Sequence, residues 1–274
     1  MAAIERAVGP ERTASSIFVS AMAWLGYFFL IMPSLIVLPM SFGNKFEMMF
    51  PPTSFSTYLF EQFLFEENWM DATFLSFRVA IGSTLLALSL GVPAAYGLVR
   101  GNYWGKKLVA MILISPILVP VIVIALGLYL YFTSVGLRGS EFALIVGHAV
   151  YTGPFVIVTC MAGMRHIDVN LEVAARIMGA GALQIFWKVT LPLLRPAMLA
   201  SGLFAFLMSF DEIVISYFLS AIGSMTLPVK MFSSIQWEIS PVLAAVSTLL
   251  TLLSLVICLI GASFQKKSQD SYRP

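Results

Sequence analysis

Few side chains in this sequence could do chemistry, and the clearest are two adjacent carboxylates. Asp211 and Glu212 interrupt the apolar run "LFAFLMSFDEIVISYFLS" at 203–220. An ionised group at mid-membrane costs at least about 2.5–3.5 kcal/mol even on the mild insertion scale, so two in succession need a purpose. One carboxylate can bind or filter a cationic solute. Equally, the pair can be structural, with Arg78 and His148 as partners from other spans. Both readings can hold, with one carboxylate in each role. In a continuous helix neighbouring residues point about 100° apart, so at most one of the two faces a pathway squarely. Tyr151, Thr152, Phe210, Ser216 and Tyr217 are weaker pathway candidates, since packing or inter-helix hydrogen bonding accounts for each as well.

Other chemistry finds no support. Loops on either side show no nucleophile–base pair and no metal-ligand cluster. Cys160 and Cys258 lie in apolar runs, where small buried hydrophobes are the ordinary reading, and their spacing suits neither a disulfide nor a metal. "GNYWGKK" at 101–107 has glycines and lysines without the spacing of a phosphate-binding loop. The sequence therefore predicts no enzyme, no metal and no cofactor in this chain.

That cost applies only if the run lies in a bilayer, and the composition places it in one. Of 274 residues, 59% are apolar and 11% charged. Soluble domains carry about a quarter charged residues. The net charge of +2 excludes nucleic acid as an obvious partner. A crossing helix needs about 20 mostly apolar residues. Six stretches qualify: 17–40, 72–99, 107–133, 141–163, 197–222 and 241–263. The first is too long, and lacks a small-residue cleavage site, to be a signal peptide, so it reads as a retained anchor. Pro116, Pro120 and Pro154 lie inside spans, where they can kink helices. Ala197, Ser201 and Ala205 make a small-residue stripe that lets helices approach.

Lys and Arg set the orientation. With the N-terminus inside, the cytoplasmic side holds Arg6, Arg12, Arg100, Lys106, Lys107, Arg165, Arg176, Lys188, Arg195, Lys266, Lys267 and Arg273. The outer side holds Lys45, Arg138 and Lys230. Both termini are thus expected in the cytoplasm. The outer loop 41–71 is acidic and aromatic, and 56–66 within it can form a short amphipathic helix at the interface.

"EVAARIMGAGALQIFWKVTLPLLRP" at 172–196 is helix-prone but too polar to span. Residues 170–178 read as a short helix with Asn170 as N-cap and Gly179 as a left-handed C-cap. Ala174 and Ala175 flatten part of its surface, so another protein's backbone can come close. A second amphipathic piece follows, and Pro192 and Pro196 are expected to end the segment. Such a helix suits force transfer from a soluble partner; a surface helix on headgroups is the plainer alternative, which Trp187 and Lys188 also fit.

Ala174, Ala175, Gly179, Val189, Leu191 and Pro192 together resemble the cytoplasmic "EAA" loop of ABC-importer permeases. One departure is that Val173 precedes the alanines, with the acid one place earlier at Glu172. "SPILVPVIVIALGL" (115–128), "HAVYTGPFVIVT" (148–159) and "SFDEIVISYFLS" (209–220) resemble the C-type permeases of spermidine/putrescine uptake systems, within a group that also carries opines and aminophosphonates. The resemblance implies an all-α type I importer permease in a bacterial inner membrane. It would have an N-terminal helix and external loop at 1–70, a transmembrane domain at 71–264 with a coupling loop at 166–196, and a tail at 265–274. It implies a second, different permease subunit, two ATPase subunits holding ATP and Mg, and an external solute-binding protein. Glu172, Ala174, Ala175, Arg176, Gly179, Leu191 and Pro192 would form the ATPase-coupling site. The expected cargo is an amine-bearing solute, first a polyamine; another small charged nutrient is the alternative. An ion-coupled carrier working alone through Asp211 and Glu212 is the alternative from another class.

Overall fold

The computed structural model describes residues 14–44, 49–65, 68–221, 223–237 and 240–270, and the side chains of these except 14–17, 237, 257, 258 and 260–270. Arg6, Arg12, Lys45, Arg273 and the side chains of Lys266, Lys267 and Cys258 lie outside that description. Every element among the described residues is helical apart from one isolated bridge, Ala221 to Ser224. The residues group into two compact units, Met1–Glu67 with Ile239–Pro274, and Asn68–Glu238.

In the first unit α1 (Ala14–Met40) and α2 (Tyr58–Phe65) both run beside α12 (Val242–Asp270). The short helix expected at 56–66 is α2, with Leu59 and Phe63 buried and Phe65 exposed. Phe60 packs on Phe42 at 5.2 Å between ring centres, and Thr57 donates to Glu61 at 2.9 Å.

The second unit is built on three helices, α3 (Trp69–Arg100), α6 (Glu141–Arg165) and α9 (Leu191–Phe210), which all touch one another. Their shared core has two layers. Ala87, Val92, Ala95 and Leu98 of α3 meet Val156, Ile157, Cys160 and Met164 of α6 and Leu194 and Ala205 of α9. Toward the other end, Leu75 and Val79 meet Ala143 and Leu144, together with Ala125, Phe132, Ile215 and Leu219. The small-residue stripe faces α6. A β-carbon on Gly163 would lie 2.5 Å from that of Ala197, and Cys160 Sγ sits 3.6 Å from Ser201 Oγ. Ser140 caps α6 by accepting from the Ala143 N–H at 3.1 Å.

Among the described residues, four helices are long and apolar enough to cross a membrane: Phe18–Met40, Trp69–Arg100, Glu141–Arg165 and Ala182–Phe210. The span expected at 107–133 is two pieces. These are α4 (Lys106–Ile114) with a 3₁₀ turn at Ser115–Leu118, and then α5 (Val121–Ser134), bent by 106°. Pro116 and Pro120 cause the break, because neither has an N–H for the helical ladder. The stretch expected at 241–263 falls within α12.

The span expected at 197–222 is also corrected. Its helix begins at Ala182 and stops at Phe210, and a separate α10 (Val214–Leu219) follows, then α11 (Leu227–Trp237). Pro192 and Pro196 do not end the preceding segment. A π-helical turn at Phe186–Thr190 leads directly into α9, and the helix runs on through Pro192 and Pro196.

Candidate functional site

The loop between α6 and α9 holds α7 (Val169–Ile177) and the short α8 (Ala182–Ile185). The N-cap of α7 is Asp168, not Asn170: the Asp168 carboxylate accepts from the Asn170 N–H at 2.9 Å. Asp168 has the extended backbone a cap needs, and Asn170 is already inside the helix. The C-terminus closes on Gly179, with φ of +89°. The Gly179 N–H donates to the Arg176 carbonyl and the Ala180 N–H to the Ala175 carbonyl, each at 3.0 Å. This pair of bonds is the Schellman closure.

The two alanines part company. Ala174 is exposed, whereas Ala175 is buried against the body, as 100° of rotation between neighbours requires. The flat outer face is therefore built from Ala174 without its neighbour. Around it lie Arg176 and several exposed apolar side chains: Ile177 at 82%, Met178 at 81% and Leu183 at 73% exposure. Leu191 and Pro192 are half-buried, and Leu191 packs on the core.

Glu172 turns the other way and is 6% exposed. Its Oε1 accepts from Arg100 Nε at 3.1 Å and from Thr190 Oγ1 at 3.0 Å. Arg100 Nη2 also donates to the Ile167 carbonyl at 3.0 Å and reaches that of Met164 at 3.5 Å. Arg100 and Thr190 are partners the sequence did not point to. Arg100 lies 72 residues from Glu172 and reads as one more flanking charge.

Where α9 ends, the chain breaks at Asp211, Glu212 and Ile213. The expectation of two helical carboxylates 100° apart fails, because neither residue lies in a helix. Glu212 is buried and caps α10, its two oxygens accepting from the N–H groups of Val214 (2.9 Å), Ile215 (2.7 Å) and Ser216 (3.2 Å). A carboxylate at a helix N-terminus meets unsatisfied donors and the positive end of the dipole. Asp211 is exposed, and among the described residues its side chain has no hydrogen bond or ion pair.

The expected partners divide as well. Arg78 does not reach either carboxylate: its Nε pairs with Glu141 at 2.9 Å and 3.1 Å, on side chains 58% and 38% exposed. Glu141 opens α6 beside the α3 face that carries Arg78, and so it is the nearer acid. His148 is buried and does reach the break. Its Nδ1 is 2.8 Å from Ser209 Oγ, its Nε2 2.9 Å from Ser216 Oγ and 3.9 Å from Glu212 Oε2. Ser83 donates to Ser209 at 2.8 Å, so α3, α6, α9 and α10 share one buried polar chain. The sequence singles out His148 and Ser216, whereas Ser83 and Ser209, single serines in apolar runs, give no such signal.

The aromatic candidates lie in separate stacks. Phe210 packs on Phe77 and Phe206 at 5.0 and 5.8 Å. Tyr151 is half-buried and meets Phe155 at 6.3 Å. Tyr217 is 54% exposed and meets Phe232 at 6.3 Å. Thr152 is buried and donates its hydroxyl to the His148 carbonyl at 2.9 Å. At the N-terminal end of α3 a cleft of about 500 Å³ is lined by Asp71, Arg78, Ser224 and Lys230 among others.

Residues 87–270 match the family described as binding-protein-dependent transport system inner membrane component. The chain is 31% identical over 233 residues to the putrescine transport system permease protein PotI of Escherichia coli (strain K12), covering 82% of this chain and 83% of that protein. It is 28% identical over 249 residues to the spermidine/putrescine transport system permease protein PotC of Haemophilus influenzae, covering 91% and 96%. Its fold is similar to a chain of a bacterial ABC transporter involved in import of the acidic polysaccharide alginate, with a TM-score of 0.76, 17% identity, and coverage of 94% and 98%.

Proposed function

This chain belongs to the family of binding-protein-dependent transport system inner membrane components, and on that premise we propose that it carries amine-bearing solutes, first of all polyamines. The chain is a permease subunit of an ABC importer in the inner membrane, a transport component and not an enzyme. Such a subunit works with a partner permease, an ATPase and a solute-binding protein. A carrier working alone on an ion gradient has no place in this family.

The finer reading is that the chain pairs with a different permease, each contributing half of the pathway. Two ATPase subunits, with ATP and Mg on them, grip the loops. On this chain the gripping surface is the outer face of α7: Ala174, Arg176, Ile177, Met178 and Gly179. Apolar side chains this exposed on a polar loop mark a protein contact. Glu172 is not part of that surface.

The observation that carries the cargo is the division of labour at the helix break. Glu212 is committed to three backbone donors, and Asp211 is left exposed with no partner side chain among the described residues. An unpaired carboxylate in a membrane pathway favours a cation, and the relatives above are named for putrescine and spermidine. The test is uptake by vesicles holding the whole transporter, with labelled putrescine, spermidine and an aminophosphonate offered separately. Accumulation of the diamine or triamine supports the proposal. Uptake of only the anionic compound moves the chain to another cargo.

A further inference from the structure

We propose that Glu172 is a positioning residue that makes α7 and the three-helix core one body, so that a push on the loop reaches the pathway without slack. This rests on reading the loop as the ATPase contact. The geometry is specific. Arg100 closes α3, and its guanidinium holds Glu172 of α7 while also donating to carbonyls at the end of α6 and just beyond it. Thr190, the last residue of the π-turn that feeds α9, donates to the same Glu172 oxygen. One buried ion pair, with side chains 18% and 8% exposed, thus joins the loop to all three core helices. The core helices pack on one another around a shared core, so a displacement of α7 is passed on to them together.

An acid that served the ATPase directly would need to face outward. Glu172 faces inward, while the exposed outer face of α7 carries Val173, Ile177 and Met178. A carboxylate with two hydrogen bonds inside the body is not free to leave it, because the guanidinium would remain buried without its counter-charge. The loop therefore has two faces with separate tasks. The outer one meets the ATPase, and the inner one fixes the lever to its load.

The test uses the complete transporter in vesicles, with uptake per ATP hydrolysed measured at equal amounts of assembled complex. Glu172→Gln is expected to lower that ratio by roughly 2- to 30-fold, the range in which residues away from both sites shift coupling. Thr190→Val, which removes one hydrogen bond and no charge, is expected to lower it less, and it covers the case in which Glu172→Gln fails to fold. In a background with Cys160 and Cys258 replaced by Ala, Arg100→Cys with Glu172→Cys should be poorly coupled when reduced. A short bifunctional thiol reagent should restore coupling, since two parts that move together tolerate a link. Full coupling in both Glu172→Gln and Thr190→Val overturns the proposal. So does a cross-linked variant that is inactive while its reduced form transports, because the two parts must then move apart. Loss of the ATPase from Glu172→Gln complexes overturns it by making the acid a direct contact. Failure of a cysteine at Met178 to cross-link to the ATPase instead sinks the loop reading itself, whatever the Glu172 variants do.

Discussion

Asp211 and Glu212 are chemically alike and adjacent, yet the structure gives them opposite surroundings. Three backbone donors converge on Glu212, and none of the described groups binds the Asp211 side chain. Their substitutions should therefore separate. Asp211→Asn is expected to assemble normally and lose about tenfold or more in uptake, the scale of one hydrogen bond to a charged group. Glu212→Gln keeps one acceptor oxygen but points an amide donor at donors. It should lower the yield of folded complex, with a loss of about 1–2 kcal/mol from the cap and dipole together. Purified yield and uptake per complex measure the two effects, and the reverse pattern would exchange the two roles. The sequence marks this pair by its cost in a bilayer. It does not show which acid turns inward, because "SFDEIVIS" has no Pro or Gly to announce the break. The break becomes intelligible only with Glu212 as a cap and His148 holding Ser209 and Ser216 on either side of it.

At the scale of elements, local signals were readable where the backbone itself demands a residue type. Gly179 is such a case: its φ of +89° suits glycine, and nothing lies within 4 Å of where a β-carbon would sit. The penalty for a side chain is thus conformational alone, about 1–2 kcal/mol. Gly179→Val should leave the protein inserted but reduce ATPase recovery on co-purification. Gly179→Asn, which tolerates left-handed backbone, should retain most of it. Equal recovery from both variants and the parent would remove the cap from the contact. Gly163 differs, because its β-carbon would strike Ala197. Gly163→Val should force α6 and α9 apart and cost about 1–3 kcal/mol, seen as lower yield from detergent with no specific effect on ATPase recovery. The prolines were readable in part. Pro116 and Pro120 do break their span, but Pro192 and Pro196 are absorbed by the π-turn and the first turns of α9. The sequence does not announce the π-turn at 186–190, so it does not show that the helix runs on through both prolines.

For the whole molecule, the 106° bend between α4 and α5 poses the remaining architectural choice. The pair can cross the membrane as one broken span or return to the side it came from. The charge pattern favours crossing. If the pair crosses, the loop with Arg165, Arg176, Lys188 and Arg195 lies on the same side as Arg100, Lys106 and Lys107, and only Lys45, Arg138 and Lys230 lie opposite. If it returns, every later segment changes side and the basic residues divide almost evenly, against the strong bias that insertion favours. The crossing arrangement also puts the exposed face of α7 where an ATPase can reach it. Single cysteines test this directly, in a background with Cys160 and Cys258 replaced by Ala. Trp104→Cys precedes α4 at a fully exposed position, and Ser134→Cys ends α5. Leu183→Cys lies in the loop after α6. In intact cells an impermeant thiol reagent should label Ser134→Cys, and label Trp104→Cys and Leu183→Cys only after permeabilisation. Labelling of Leu183→Cys from outside, with Trp104→Cys and Ser134→Cys both protected, would make α4 and α5 re-entrant. It would also remove the loop from the ATPase's side, and with it the proposed contact.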